Sequence, residues 1–198
     1  MSSKRALKLI MLLPLIGMLL SCDVFLTPKL GRWNTKDPNA ELEPYNRILK
    51  PKEDTWVDPS MKDISSLELR VKYNKYILLK FDIPALPDII TVAELQLYCI
   101  TAGNGDVSLH RILQPWEAYS LDPAKILAPE FFDPDPLTKT YIGPNTSRYY
   151  SWDVKDSVGS LTYGILLMEA EDKESKFYSV EVTGSEQPML VIEGYNKL

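Results

Sequence analysis

The stretch "KYILLKFDIPALPDIITVAELQLYCI", Lys75 to Ile100, decides the fold class. In its second half Ala93, Leu95, Leu97 and Cys99 share one parity, and Glu94, Gln96 and Tyr98 share the other. That alternation is the signature of a strand with one face buried, and it points Cys99 into the core. In the first half Ile77, Leu79 and Phe81 form the core parity, yet the opposite parity, Tyr76, Leu78 and Lys80, is also partly apolar. A strand apolar on both faces belongs in the middle of a sheet. Between the two halves "IPALPD" places two prolines where the chain must turn.

Working outward, the same signal recurs at "DTWVD" from Asp54, "SLELRV" from Ser66 and "DVSLHRIL" from Asp106. It continues at "RYYSWDV" from Arg148, "YGILLMEA" from Tyr163, "KFYSVEV" from Lys176 and "PMLVIEGY" from Pro188. About nine short strands with almost no helical periodicity predict an all-β, antiparallel, jelly-roll-like β-sandwich over residues 52–198. "AGNGD" at Ala102 supplies the Gly and Asn that a tight hairpin turn needs for positive φ. The exception is Gln114 to Ser147, which carries six prolines together with Trp116, Tyr119, Phe131, Phe132 and Tyr141. A connection this long is functional or disordered, and its aromatics argue against disorder, so it is the first place to look for a site.

The N-terminus follows a different plan. Lys4, Arg5 and Lys8 precede an uncharged apolar run from Leu9 to Leu20, too short to span a bilayer as a helix. Residues 1–21 therefore read as an export signal. The tetrapeptide "LLSC" ending at Cys22 resembles the bacterial lipobox, in which the cysteine thiol receives a diacylglycerol and the new amino group is acylated after cleavage. This makes Cys22 the expected attachment point of a lipoprotein exported to the bacterial cell envelope, with residues 22–51 as a proline-rich tether. An acidic residue, Asp23, follows it; the sequence does not choose the membrane leaflet, and "GRWNTKDP" at Gly31 to Pro38 has no assigned role.

Loss of residues 1–21 takes the formal charge from −5 to −8, and no basic stripe interleaved with aromatics offsets it. Such a surface repels phosphate backbones, which excludes nucleic acid as a natural partner. With Cys22 acylated, Cys99 is the one remaining thiol, so no disulfide framework forms within the chain.

From about Glu53 to Tyr195 the chain carries "EDTWVD", "YILLKFDIPALPDIITVAELQLYC", "VSLHRILQPWEAY", "YSWDVKDSV" and "FYSVEVTGSEQPMLVIEGY". In these segments and their order it resembles the DNRLRE-domain family, allied to the disaggregatase-related repeats and to carbohydrate-binding module family 96. The resemblance implies a jelly-roll sandwich on a secreted or surface protein, where some members bind acidic or complex polysaccharides. The matching residues are core and turn positions, not a catalytic signature.

The residues themselves agree that catalysis is not expected. His110 is the single histidine and has no Gly-x-Ser-x-Gly or metal-ligand partner spacing around it. Carboxylate pairs occur at Asp133 and Asp135 and at Glu169, Glu171 and Asp172, in the style of solvated surface acids. Asp133 and Asp135, with Asn145, are weak candidates for a structural calcium site that would brace the long loop; no other cofactor is expected. Sugar recognition needs a flat aromatic face flanked by hydrogen-bonding groups. The outward parity of the two central strands offers Tyr76, Lys80, Gln96 and Tyr98, and the long loop offers Trp116 and Tyr119 as carbohydrate-binding candidates, while Trp56 and Trp152 are expected inside. The expected function is recognition of a polysaccharide or other glycan by a protein held to the membrane through its lipid only. The alternative is a structural or adhesive envelope protein that binds protein partners.

Overall fold

The structure, a computed structural model, describes residues 41–198. The expected signal peptide, Cys22 and the first part of the expected tether lie outside the described residues. Within 41–198 the chain forms twelve strands. The first six are β1 (Leu42–Leu49), β2 (Glu53–Asp58), β3 (Met61–Asp63), β4 (Glu68–Val71), β5 (Tyr76–Lys80) and β6 (Ile89–Thr101). The rest are β7 (Gly105–Arg111), β8 (Thr138–Ile142), β9 (Arg148–Asp153), β10 (Ile165–Glu169), β11 (Ser175–Tyr178) and β12 (Met189–Lys197).

They build two antiparallel sheets. One has the order β1-β12-β6-β11-β4, with β9 on the free side of β6; the other has the order β3-β2-β5-β10-β7-β8. The thirteen-residue β6 is the axis of the first sheet, flanked by β12 and then β11 along one edge and by β9 along the other. The chain passes repeatedly from sheet to sheet, so the sandwich is closed by many long-range pairings. All nine strands expected from the sequence are present. The three additional ones are β1, β3 and β8.

Strand β1 lies where the sequence suggested tether. It pairs along its length with β12, from Leu42 opposite Lys197 to Leu49 opposite Leu190. As an edge strand it tolerates Pro44, which a central strand would not. The sandwich thus begins about ten residues earlier than the sequence suggested.

Between the sheets lies the main core, in which Ile77, Leu79, Leu95, Leu97, Cys99, Leu109, Trp152, Ile165, Leu167 and Phe177 are fully buried. Trp152 ties the layers together, because its ring packs edge-on to Phe177 at 6.0 Å and its Nε1–H donates to the Val107 carbonyl at 2.9 Å. Truncating a buried indole of this kind to Ala costs about 3–5 kcal/mol. Trp56 is likewise buried, as expected. The hairpin turn between β6 and β7 has Asn104 at φ 58°, the left-handed conformation that the "AGNGD" segment predicts.

A second, smaller core sits on the outer face of the other sheet. Residues 114–137, far from being open, fold back over that face, so that Trp116, Leu121, Ile126 and Phe131 cover Val57, Tyr76, Leu78 and Leu166. A short 3-10 turn at Pro123–Leu127, capped by the Asp122 carboxylate accepting from Ala124 N–H at 3.0 Å, carries Ile126 into this layer. This explains why β5 is apolar on both faces: one face meets the sandwich interior and the other meets the folded loop.

Candidate functional site

Strand register creates the site. Opposed residues on antiparallel strands project from the same face. Tyr98 of β6 stands directly opposite Tyr149 of β9, and the pairing of Phe177 with Cys99 brings Tyr178 of β11 beside Tyr98 on its other flank. Tyr98 and Tyr178 stack with ring centroids 5.7 Å apart and planes 14° apart, while Tyr149 meets Tyr98 edge-on at 5.2 Å and 83°. The three half-buried rings make one aromatic surface across three strands on the outer face of the first sheet.

Polar groups frame it. Gln96, two residues from Tyr98 on β6, donates to the Glu94 carboxylate at 3.0 Å, and both share the outward parity of Tyr98. Glu68, opposite Tyr178, accepts from Arg70 at 3.1 Å and pairs with Lys176 at 3.4 Å. The connection between β11 and β12 forms the remaining wall, and Tyr149 donates its hydroxyl to the Ser185 carbonyl there. Burial, reinforced by the Glu186 carboxylate and Tyr98, raises the Tyr149 phenol above its ordinary pKa, so it stays a neutral donor. Among the described residues the hydroxyls of Tyr98 and Tyr178 have no hydrogen-bond partner.

That wall is pinned from within the sandwich. Asp54 of β2 is buried, and its Oδ2 accepts from the Val180 amide at 2.6 Å. Burial pushes the Asp54 carboxyl up to about 6, against the lowering effect of the Val180 bond, and Glu181 raises it further. Gln187 closes the same connection on itself by donating to the Val182 carbonyl at 2.7 Å.

The candidates named from the sequence separate into two groups on opposite sides of the sandwich. Gln96 and Tyr98 belong to the face just described. Tyr76, Lys80 and Trp116 lie on the other sheet beneath or within the folded loop, so the six do not form one platform. Tyr76 is 6% and Trp116 5% exposed, and the indole Nε1–H donates to the Tyr163 carbonyl at 2.6 Å. Lys80 holds the loop down: its Nζ donates to the Trp116 carbonyl at 2.8 Å and pairs with Glu53 at 3.1 Å, and the other Glu53 oxygen accepts from Ala118 N–H at 2.7 Å. Tyr119 is 85% exposed at the loop surface, with no ring partner among the described residues. These side chains secure the loop or stand apart from the aromatic face.

Tyr149 and Tyr178 were not singled out from the sequence. In "RYYSWDV" and "KFYSVEV" alternation does put them outside, opposite Trp152 and Phe177, but only strand order reveals that both neighbour Tyr98.

The remaining reactive groups are engaged structurally. Both imidazole nitrogens of His110 have partners: Nδ1–H donates to the Asp133 carbonyl at 2.8 Å, and Nε2 lies 3.0 Å from Ser108 Oγ. Burial lowers its pKa. Asp133 faces Arg111 at 2.8 Å, which supplies its counter-charge, and Asp135 is exposed. Among the described residues no group of three or more His, Cys, Asp or Glu side chains is placed to hold a metal ion. Burial pushes the Cys99 thiol up to about 11, so it behaves as an inert core group.

A family model described as carbohydrate-binding module family 96 matches residues 46–194. The chain belongs to carbohydrate-binding module family 96. The match covers nearly all of the described sandwich, including β6, β9 and β11, which carry the tyrosines. A search of curated proteins returns no match. Among the described residues no helix is long and apolar enough to cross a membrane.

Proposed function

We propose that this protein is a non-catalytic, lipid-anchored recognition protein of the bacterial cell envelope, a DNRLRE-type lipoprotein that holds a polysaccharide against the face of Tyr98, Tyr149 and Tyr178. The contiguous aromatic surface in a member of a carbohydrate-binding family carries the reading. Sugar rings present C–H groups on their flat sides and hydroxyls at their edges. The tyrosine rings offer the first a stacking surface, and Gln96, Glu94, Ser151 and the two phenol hydroxyls offer the second hydrogen-bonding partners. A sheet face open along its strands suits a chain interior, since sugars can continue past both ends of the contact.

The anchoring part of the proposal rests on the sequence: a basic start, an apolar run and "LLSC" ending at Cys22. Acyl chains at Cys22 would hold the sandwich to a membrane, with the intervening residues as spacer.

Affinity electrophoresis on gels containing soluble polysaccharides tests the site. Loss of one stacking ring is worth about 0.5–1.5 kcal/mol, so Tyr98→Ala is expected to weaken retardation about twofold to tenfold while the protein remains folded. Unchanged retardation of a folded Tyr98→Ala variant would remove this face from the account.

A further inference from the structure

Away from the tyrosine face, the sandwich carries a hollow at one end. The turn joining β2 to β3, the turn joining β4 to β5 and the connection after β10 enclose an open cleft of about 430 Å³. Small-ligand sites span roughly 300–1,000 Å³. Its walls are Asp58, Ser60, Lys72, Tyr73, Asn74 and Asp172, with Pro59 and Lys75 completing the lining. None of these residues takes part in the tyrosine face.

Three features give the cleft a chemical character. Tyr73 is 57% exposed, although its amide is fixed by donation to the Glu171 carbonyl at 3.0 Å, so a rigid backbone holds out an uncovered ring. Asn74 follows at φ 62°, a left-handed position that commits its amide side chain to the turn surface. Asp58 takes all three of its turn bonds on one oxygen: Oδ1 accepts from Ser60 N–H at 2.9 Å, Ser60 Oγ–H at 2.7 Å and Met61 N–H at 2.9 Å. Its Oδ2 has no hydrogen-bond partner among the described residues. Burial acts to raise the carboxyl, but the Ser60 and Met61 bonds together with the Lys75 charge outweigh it and hold it below its ordinary pKa, so it is ionised.

Both lysines of the cleft are paired, and Asp58 leaves it one negative charge in excess. Lys72 pairs with Asp172 at 3.1 Å, and Lys75 pairs with Glu174 at 3.2 Å while standing 5.1 Å over the Trp56 ring. Neither ammonium is left to attract an acidic sugar, and the acceptor oxygen on Asp58 would repel one. A neutral ligand with adjacent hydroxyls fits: the hydroxyls donate to Asp58 Oδ2, accept from the Asn74 amide, and leave a C–H face for Tyr73.

We infer that the cleft is a second saccharide site, which takes the terminal one or two sugars of a neutral glycan, in contrast to the open tyrosine face that takes a chain interior. The inference rests on the carbohydrate recognition proposed above, and it adds a site and a ligand class to it. Two sites on one anchored domain would raise the retention of long glycans by effective concentration.

The test is an NMR titration of the ¹⁵N-labelled full chain in detergent micelles with the neutral disaccharides cellobiose, maltose, mannobiose and galactobiose, and with digalacturonic acid. At least one neutral disaccharide is expected to shift the amides of Ser60, Tyr73 and Asn74 saturably. Tyr73→Ala and Asn74→Gly, the second of which retains the left-handed turn, are each expected to weaken those shifts about fivefold or more. Tyr98→Ala should leave them unchanged. Shifts confined to Tyr98, Tyr149 and Tyr178, with the cleft silent, would overturn the second site and leave the proposed function standing. Equal or tighter binding of digalacturonic acid in the cleft would overturn its neutral class, and silence of both sites would overturn both proposals.

Discussion

Asp54 offers a perturbation whose size follows from its surroundings. Its side chain is buried where β2 borders the β11–β12 connection, and its carboxyl is raised from 3.8 to about 6. Between those values the folded protein binds more protons at this position than the unfolded chain does. Stability from this group is therefore fully present below about pH 4, falls as pH rises through about 4 to 6, and levels off above. At 1.36 kcal/mol per pH unit the difference is on the order of 3 kcal/mol. Asp54→Asn removes the charge and keeps an oxygen to accept the Val180 N–H, so it leaves the wall of the tyrosine face attached. Urea unfolding of both proteins from pH 4 to pH 8 isolates the effect, because other titrating groups cancel in the difference. The variant is expected to gain about 3 kcal/mol on the wild type between pH 4 and pH 7, with the change centred between pH 4 and 6. A difference that is flat across this range would refute the assignment of a destabilising buried charge to Asp54.

Two further perturbations address the fold and the anchor. Gly164 has φ 103°, and a Cβ there would lie 2.3 Å from the Leu79 carbonyl oxygen of the neighbouring strand, so Gly164→Ala is expected to cost about 2 kcal/mol or more by denaturant unfolding; a cost below about 0.5 kcal/mol would show that β5 and β10 can separate freely at that point. Cys22→Ala is expected to release the protein from the membrane to the soluble fraction, and continued retention after carbonate washing would sink the lipid-anchor proposal.

The strands were legible wherever one face is buried, because period-two alternation then records the core directly. In β6 every inward position, Ala93, Leu95, Leu97 and Cys99, was readable. The three strands that were missed lack that record. β1 is an edge strand, mostly solvent-facing and interrupted by Pro44; β3 has three residues; and β8, "TKTYI", lies among the prolines of the long connection. Partner-face information was harder to reach. Tyr76 and Tyr98 have the same outward parity, but parity is defined strand by strand, and β5 and β6 belong to different sheets. One tyrosine therefore meets the folded loop and the other borders solvent. For the same reason Tyr98 and Gln96 were legible as candidates, whereas Tyr149 and Tyr178, some 50 and 80 residues further along the chain, required the pairing of β6 with β9 and β11. The proline-rich connection misled in the opposite sense: its aromatics marked a second core rather than an open site.

The central claim is that the anchored sandwich recognises glycan through its tyrosine face. Its most direct test is a glycan array probed with the full chain in mild detergent, with the Tyr98→Ala variant run in parallel. The account predicts binding to a defined class of polysaccharide, reduced about twofold to tenfold in the variant. A blank array from well-folded protein would contradict it.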